Sequence, residues 1–192
     1  MEQKFFHVSF IILFVLILAI RAYCHRLAIK YAGKTEFKEK RLMRAIIGVP
    51  FVLLLVKYMI DPGFFVWARL DMPAWLQWLG FALGTASIPI TVWIHANLGI
   101  NFSSVLHVRE KHTLSTTGPY KWVRHPMYTV LFMHFLGILF LTENLFIGGV
   151  SLLGFIIIIA GRLKNEERLM LETFGDDYRR YMERTGRFLP KF

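Results

Sequence analysis

Two short stretches hold most of the side chains able to do chemistry. In Gly118-Pro119-Tyr120-Lys121-Trp122-Val123-Arg124-His125-Pro126-Met127-Tyr128, a guanidinium, an imidazole and two phenols stand close together, and a long apolar run follows at once. Arg124 stays charged and can grip a carboxylate through two parallel hydrogen bonds. His125 precedes a proline, which pushes its backbone away from the helical region. Pro126 has a preset φ and no N–H to lose, which suits the first position of a helix and places Tyr128 one turn inside it. A loop ending this way aims backbone N–H groups and the positive helix end at whatever binds there, so it reads as a small anionic-ligand site. The second stretch is Glu166-Glu167. Spacing alone leaves plainer readings open: Glu166-Glu167 as surface acids at a helix start, His125 as a helix cap, Arg124 as a contact to lipid phosphate.

Other chemistries find little support. His95, His107, His112, His125 and His134 are scattered, with none of the dense three-to-four spacing of membrane di-iron enzymes, so no metal is expected. No serine sits on a nucleophile elbow, and Ser103 and Ser104 read as hydrogen-bonding loop residues. No glycine-rich dinucleotide loop is present. One cysteine, Cys24, excludes an intramolecular disulfide and a cysteine-based zinc site.

The elements that must position these residues are membrane helices. The 192 residues are 55% hydrophobic with 18 Phe, too apolar for a soluble domain of this size. Five apolar segments can be read: Phe5–Ile20, Ile46–Ile60, Trp75–His95, Met127–Leu141 and Leu145–Ala160. A spanning helix needs about 20 mostly apolar residues. The last two are shorter and are separated only by Thr142-Glu143-Asn144, which predicts a tight helical hairpin. Met1–Ile20 reads as a retained first helix, because its basic residues follow the apolar run and no Ala-x-Ala precedes Cys24. Gly80 and Gly84 have the small-xxx-small spacing of close helix contacts. Trp67, Trp75 and Trp78 suit an interfacial belt.

The net charge of +10 is distributed by topology. Arg21, Arg26, Lys30, Lys34, Lys38, Lys40, Arg41 and Arg44 follow the first segment, and only Arg69 lies between the second and third. Arg109, Lys111, Lys121 and Arg124 follow the third, none stands in the hairpin turn, and eight basic residues lie from Arg162 to Lys191. This alternation predicts an outside N-terminus, with loops one and three and the tail cytoplasmic. Basic loops facing anionic lipid explain the charge without nucleic acid, for which no reader motif is present. No obligate protein partner is implied. The expected fold is all-α and integral to the membrane, with about five transmembrane helices and a cytoplasmic C-terminal cofactor-binding region. One domain covers residues 1–192, with three anchoring helices in 1–96 and the cofactor-binding and catalytic half in 97–192.

Arg124-His125-Pro126-Met127-Tyr128, then Glu166-Glu167 after the hairpin, then Phe174-Gly175-Asp176-Asp177-Tyr178, resembles the isoprenylcysteine carboxyl methyltransferase family. The likeness is to its small prokaryotic members and to the related phospholipid methyltransferases, and it covers roughly Asn97–Phe192. Membrane sterol reductases that use NADPH share a similar Arg-His-Pro-x-Tyr run. The acidic pair and the Phe-Gly-Asp-Asp-Tyr run favour the methyltransferases. The resemblance implies a pocket for S-adenosylmethionine, released as S-adenosylhomocysteine, lined by His112, Leu114, Gly118, Tyr120, His125, Pro126, Tyr128, Glu166 and Glu167. Carboxylates would accept from the cofactor's ammonium and ribose hydroxyls, and His125 would donate to its carboxylate. A 2′-phosphate would instead call for Arg and Lys where this chain has two Glu.

The acceptor implied is lipophilic and membrane-embedded, with a carboxylate as in prenylcysteine esterification. Such a nucleophile is already ionised and needs only desolvation and alignment within about 3–3.5 Å of the methyl group. Arg124 is the candidate to orient it, with His125 as base if the acceptor were an amine. The alternatives are an NADPH-dependent membrane reductase and a non-catalytic lipid-binding protein.

Overall fold

The structure is a computed structural model, and it describes residues 2–32, 52–98 and 114–191. These residues are mostly helical, with no strand among them beyond two isolated bridges. Helix α1 runs Glu2–Ala32. Its buried side chains Phe6, Phe10, Leu13 and Ile17 recur at the helical period on one face, while Ile12, Val15, Leu16 and Leu18 are exposed on the others. An apolar outer face of this kind is the mark of a helix solvated by lipid. Helix α2, residues 52–60, adds Leu55 and Tyr58 to the same cluster. A 3-10 turn over Pro62–Ala68 leads to α3, Ala74–Leu98. Helix α4, Pro126–Thr142, is followed by two residues, a π turn over Leu145–Gly149, and α5, Val150–Arg184.

Three of these helical stretches are long and apolar enough to cross a membrane, Glu2–Leu27, Ala74–Leu98 and Leu145–Arg184, and α4 is a shorter apolar helix. The chain is therefore built as a multi-pass membrane protein. The part of the second apolar segment before residue 52 and the basic loop after the first segment from residue 33 on lie outside the described residues, as do residues 99–113. Trp67, Trp75 and Trp78 are all exposed.

Among the described residues, helices α3 and α4 make the most extensive contact, and small residues are the reason. A Cβ on Gly80 would stand 2.7 Å from both the Gly137 carbonyl and the Leu141 nitrogen, and one on Gly137 would meet the Gly84 nitrogen at 2.9 Å. The expected small-residue pair on α3 thus has a partner on α4, Gly137, that the sequence reading missed. Ser87 lies in the same interface and its hydroxyl meets His134 Nδ1 at 2.8 Å. Gly80→Ala is expected to destabilise the protein by about 1–3 kcal/mol, because the atoms it strikes are backbone and cannot rotate away. Gly154→Ala is the control, since nothing lies within 4 Å of a Cβ there. Thermal melting in detergent would show this, and a wild-type melt for Gly80→Ala would refute the packing argument.

The ends of the bundle differ. At the end holding Glu2, Tyr58 Oη donates to the Thr142 carbonyl and Asn144 Nδ2 to the Phe65 carbonyl. The Arg69 guanidinium there donates to Glu143 Oε2 at 3.2 Å. At the other end α5 continues beyond α4, breaks at Gly175 (φ 51°, ψ −122°), and returns to bury Tyr178 and Tyr181. The break falls at the glycine of the Phe174-Gly175-Asp176-Asp177-Tyr178 run. Everything assembled next lies at this second end.

Candidate active site

The loop before α4 is shaped first by its own sequence. Gly118 has φ 56°, and a Cβ there would meet Asn97 Oδ1 at 2.2 Å, so only glycine lets the chain turn against the end of α3. Pro119 opens a 3-10 turn over Gly118–Lys121. Pro126 is the first residue of α4, and His125, with φ −122° and ψ 56°, is its N-cap residue, as expected of a position before proline.

The chain's C-terminal segment then closes on this loop as a short ladder. Gly186 N donates to the Trp122 carbonyl at 3.0 Å, Arg124 N to Gly186 at 2.8 Å and His125 N to Arg187 at 3.0 Å. Thr129 Oγ1 donates to the Phe188 carbonyl at 2.7 Å, and Tyr181 Oη to the Tyr120 carbonyl at 2.6 Å. Burial, with Tyr181 and Glu166 nearby, raises the Tyr120 phenol well above its usual pKa and keeps it protonated.

Against this loop α5 presents its two adjacent carboxylates, and they point differently because neighbouring helical positions are about 100° apart. Glu167 is buried and faces inward. Its Oε2 accepts from Arg187 Nη2 at 2.6 Å and its Oε1 from Arg187 Nε at 3.0 Å. The same Oε1 lies 3.4 Å from His125 Nε2 and 3.6 Å from Arg124 Nε. Glu166 turns to α4: its Oε1 accepts from Tyr128 Oη at 2.6 Å and from Arg162 at 3.1 Å. Its Oε2 has His125 Nδ1 at 3.8 Å. The His125 ring is stacked on Tyr128, with centroids 5.6 Å apart. Among the described residues, buried His125 Nε2 and Arg124 Nε have no hydrogen bond of ordinary geometry.

Arg124, His125, Tyr128, Glu166 and Glu167 are thus brought together. Pro126 is buried at the helix start, and Tyr120 is buried behind the loop. Leu114 and Gly118 lie nearer the end of α3, where Ser115 Oγ reaches the Asn97 carbonyl at 3.5 Å. His112 lies outside the described residues. Arg124, the residue expected to orient the acceptor carboxylate, makes contacts of its own. Its Nη1 donates to the Met182 carbonyl at 2.9 Å and to the Thr185 carbonyl, so one arm of the clamp is taken up by the C-terminal segment. Sequence reasoning missed Arg162, Thr185 and Arg187. Both arginines were visible only as part of the basic tail, where topology accounted for them.

The phospholipid methyltransferase family model matches residues 75–177, from the start of α3 past the acidic pair. The chain belongs to the phospholipid methyltransferase family. Among relatives in this family's neighbourhood is the cobalt-zinc-cadmium resistance protein CzcN of Cupriavidus metallidurans. It is 28% identical over 161 residues, covering 83% of this chain and 70% of that one. The protein-S-isoprenylcysteine O-methyltransferase of Saccharomyces cerevisiae is 30% identical over 106 residues, covering 52% of this chain and 42% of that one. The chain thus spans less than half the length of the yeast enzyme. The solved structure of a eukaryotic intramembrane Ras methyltransferase, ICMT, superposes with a TM-score of 0.62 at 22% identity, over 91% of this chain and 63% of that one. That likeness speaks to the fold: this phospholipid methyltransferase family chain has the helical architecture of the isoprenylcysteine enzymes.

Proposed function

We propose that this chain is a methyltransferase that uses S-adenosylmethionine to methylate a lipophilic acceptor at one membrane face, with a carboxylate as the accepting group. The single observation that carries the reading is the convergence of Glu166 and Glu167 with His125 and Tyr128 at the loop-to-helix junction, in a chain of this family. The residues fit the cofactor. Glu166 Oε2 retains lone pairs to accept from an ammonium or a ribose hydroxyl, and the buried His125 Nε2 has no regular partner. Tyr120, Gly118, Pro126, Leu114 and His112 complete the proposed lining. When bound, the cofactor supplies an electrophilic methyl group on a sulfonium.

The chain's own residues do the rest. Arg187 and Arg124 hold Glu167, and Glu167 holds the His125 ring against Tyr128, so the pair is oriented before any ligand arrives. A carboxylate acceptor needs no base. Its negative charge needs a dry seat and a cation, which the membrane-embedded helix ends provide. For an amine acceptor, His125 is the group placed to take the proton. In this reading five helices cross the bilayer, the α4–α5 hairpin included, and the site and C-terminus face the cytoplasm.

Calorimetry on the purified protein is expected to show saturable binding of S-adenosylhomocysteine and none of NADPH. Radiolabelled methyl groups should enter the lipid extract and be released by mild base, as a methyl ester requires. Binding of NADPH with silence toward S-adenosylhomocysteine would replace this reading with the reductase. Binding of neither would favour a lipid-binding protein without turnover.

A further inference from the structure

Arg21, on α1, is a guanidinium with too little to hold. About 28 Å of helix separates it from Glu2 at 1.5 Å per residue, close to the thickness of a bilayer core, so it stands at the membrane face that carries the candidate site. The side chain turns inward to α4: its Nη1 reaches Met127 Sδ at 3.6 Å. Among the described residues that thioether is its only hydrogen-bond partner, and a thioether is a weak acceptor for a group with five donors. Among the described residues, no carboxylate pairs with it. Arg21 lies within electrostatic reach of Arg162 and Tyr128, and His95 on α3 feels its charge. Arg162 meets a carboxylate, that of Glu166, at 3.1 Å. Arg21 and Arg162 thus lie near one another and close to Tyr128, where α1, α3, α4 and α5 converge.

A partly buried cation with no anionic partner among the described residues, at the depth where lipid headgroups begin, is a seat for a lipid-borne anion. We propose that Arg21, with Arg162 behind it, binds the anionic group of the lipid acceptor beside Tyr128. This deepens the reading above and rests on it for the word acceptor, though the anion seat itself can be measured without turnover. It also answers what the geometry of Arg124 leaves open, since Arg124 has an arm taken up by the C-terminal segment. The anion would be a carboxylate on an amphiphile or the phosphate of a phospholipid. Either is gripped by a guanidinium fork in the same way.

The test compares ligands that differ only in charge. The full chain, in nanodiscs of a zwitterionic lipid, is titrated with a prenylcysteine carboxylate and with its neutral carboxamide, and in a separate arm with a lysophospholipid. Wild type should prefer the acid over the amide by about 10-fold, a difference of about 1.4 kcal/mol. Arg21→Gln should abolish that preference while leaving S-adenosylhomocysteine affinity within about twofold. Arg21→Lys, which keeps the charge but not the fork, should retain part of it, and it serves if the Gln variant does not fold. If phosphate is the anion, the lysophospholipid should show the preference over its dephosphorylated form and the acid should not, with the same response to the variants. An Arg21→Gln protein that still favours the anion, or a wild type that favours neither anion, overturns the proposal. So does an Arg21→Gln protein whose only defect is in S-adenosylhomocysteine affinity. Failure of the wild type to bind S-adenosylhomocysteine, with the anion preference intact, would instead count against the methyltransferase reading alone.

Discussion

Glu167→Ala is expected to weaken S-adenosylhomocysteine binding by about 100-fold, or about 2.7 kcal/mol, and to lower the melting temperature as well. The carboxylate is surrounded on the protein side by the Arg187 guanidinium with two contacts, His125 Nε2 at 3.4 Å and the Arg124 guanidinium Nε at 3.6 Å. Removing it leaves those groups facing one another, and stripping one partner from a buried charged cluster costs about 3–5 kcal/mol. The lower end of that range applies, because Arg187 is half-exposed and water can take up part of its charge. His125 then loses the contact that fixes its ring on the far side from Tyr128, so any ligand donor or acceptor meets a disordered imidazole. Glu167→Gln should fall between, since an amide keeps the volume and one acceptor. Titration calorimetry and thermal melting on the three proteins decide the matter. If Glu167→Ala binds S-adenosylhomocysteine like the wild type, Glu167 belongs to the packing of the C-terminal segment and not to the cofactor site.

The two carboxylates show where sequence reasoning reaches its limit. Glu166 and Glu167 entered the reading as equivalent acceptors, because adjacency in sequence says nothing about which face of a helix the core will take. The fold separates them, one toward Arg187, Arg124 and His125 and one toward Tyr128 and Arg162. Local signals were legible for a local reason. His125 before Pro126 and Gly175 after Phe174 shape their own backbone, and the structure has the N-cap and the helix break at those positions. The apolar segments were legible too, since lipid solvation needs only length and composition. What could not be read were pairings between distant parts of the chain. The ladder between Trp122–His125 and Gly186–Arg187 has no periodic pattern, and Gly137 opposite Gly80 is one glycine in an otherwise ordinary apolar helix. Arginine was the least legible residue of all. Arg21, Arg162 and Arg187 have distinct partners in space, yet in sequence each is only one more positive charge beside a membrane helix.

Arg124→Ala is expected to reduce methyl transfer by at least about 100-fold while S-adenosylhomocysteine affinity falls by less than about 10-fold. Arg124 Nη1 donates to the Met182 and Thr185 carbonyls, and its Nε lies beside Glu167, so one side chain joins the loop, the end of α5 and the acidic pair. Hydrogen bonds from a charged donor contribute about 1.5–3 kcal/mol each. The ladder from Gly186 and Arg187, the Thr129–Phe188 bond and the Tyr181–Tyr120 bond remain after the substitution, and they keep the segment docked in outline. What is lost is registration: a shift of about 1 Å at a reacting centre costs about 100-fold in rate, whereas binding tolerates it better. Arg124→Lys separates position from charge, since an ammonium reaches one carbonyl but cannot span two carbonyls and a carboxylate together. Lys should therefore leave turnover close to that of Ala. Full activity in Arg124→Lys would mean that charge alone suffices. A loss of cofactor affinity as large as the loss of turnover would make Arg124 part of the cofactor site, and not the brace that sets the geometry of the transfer.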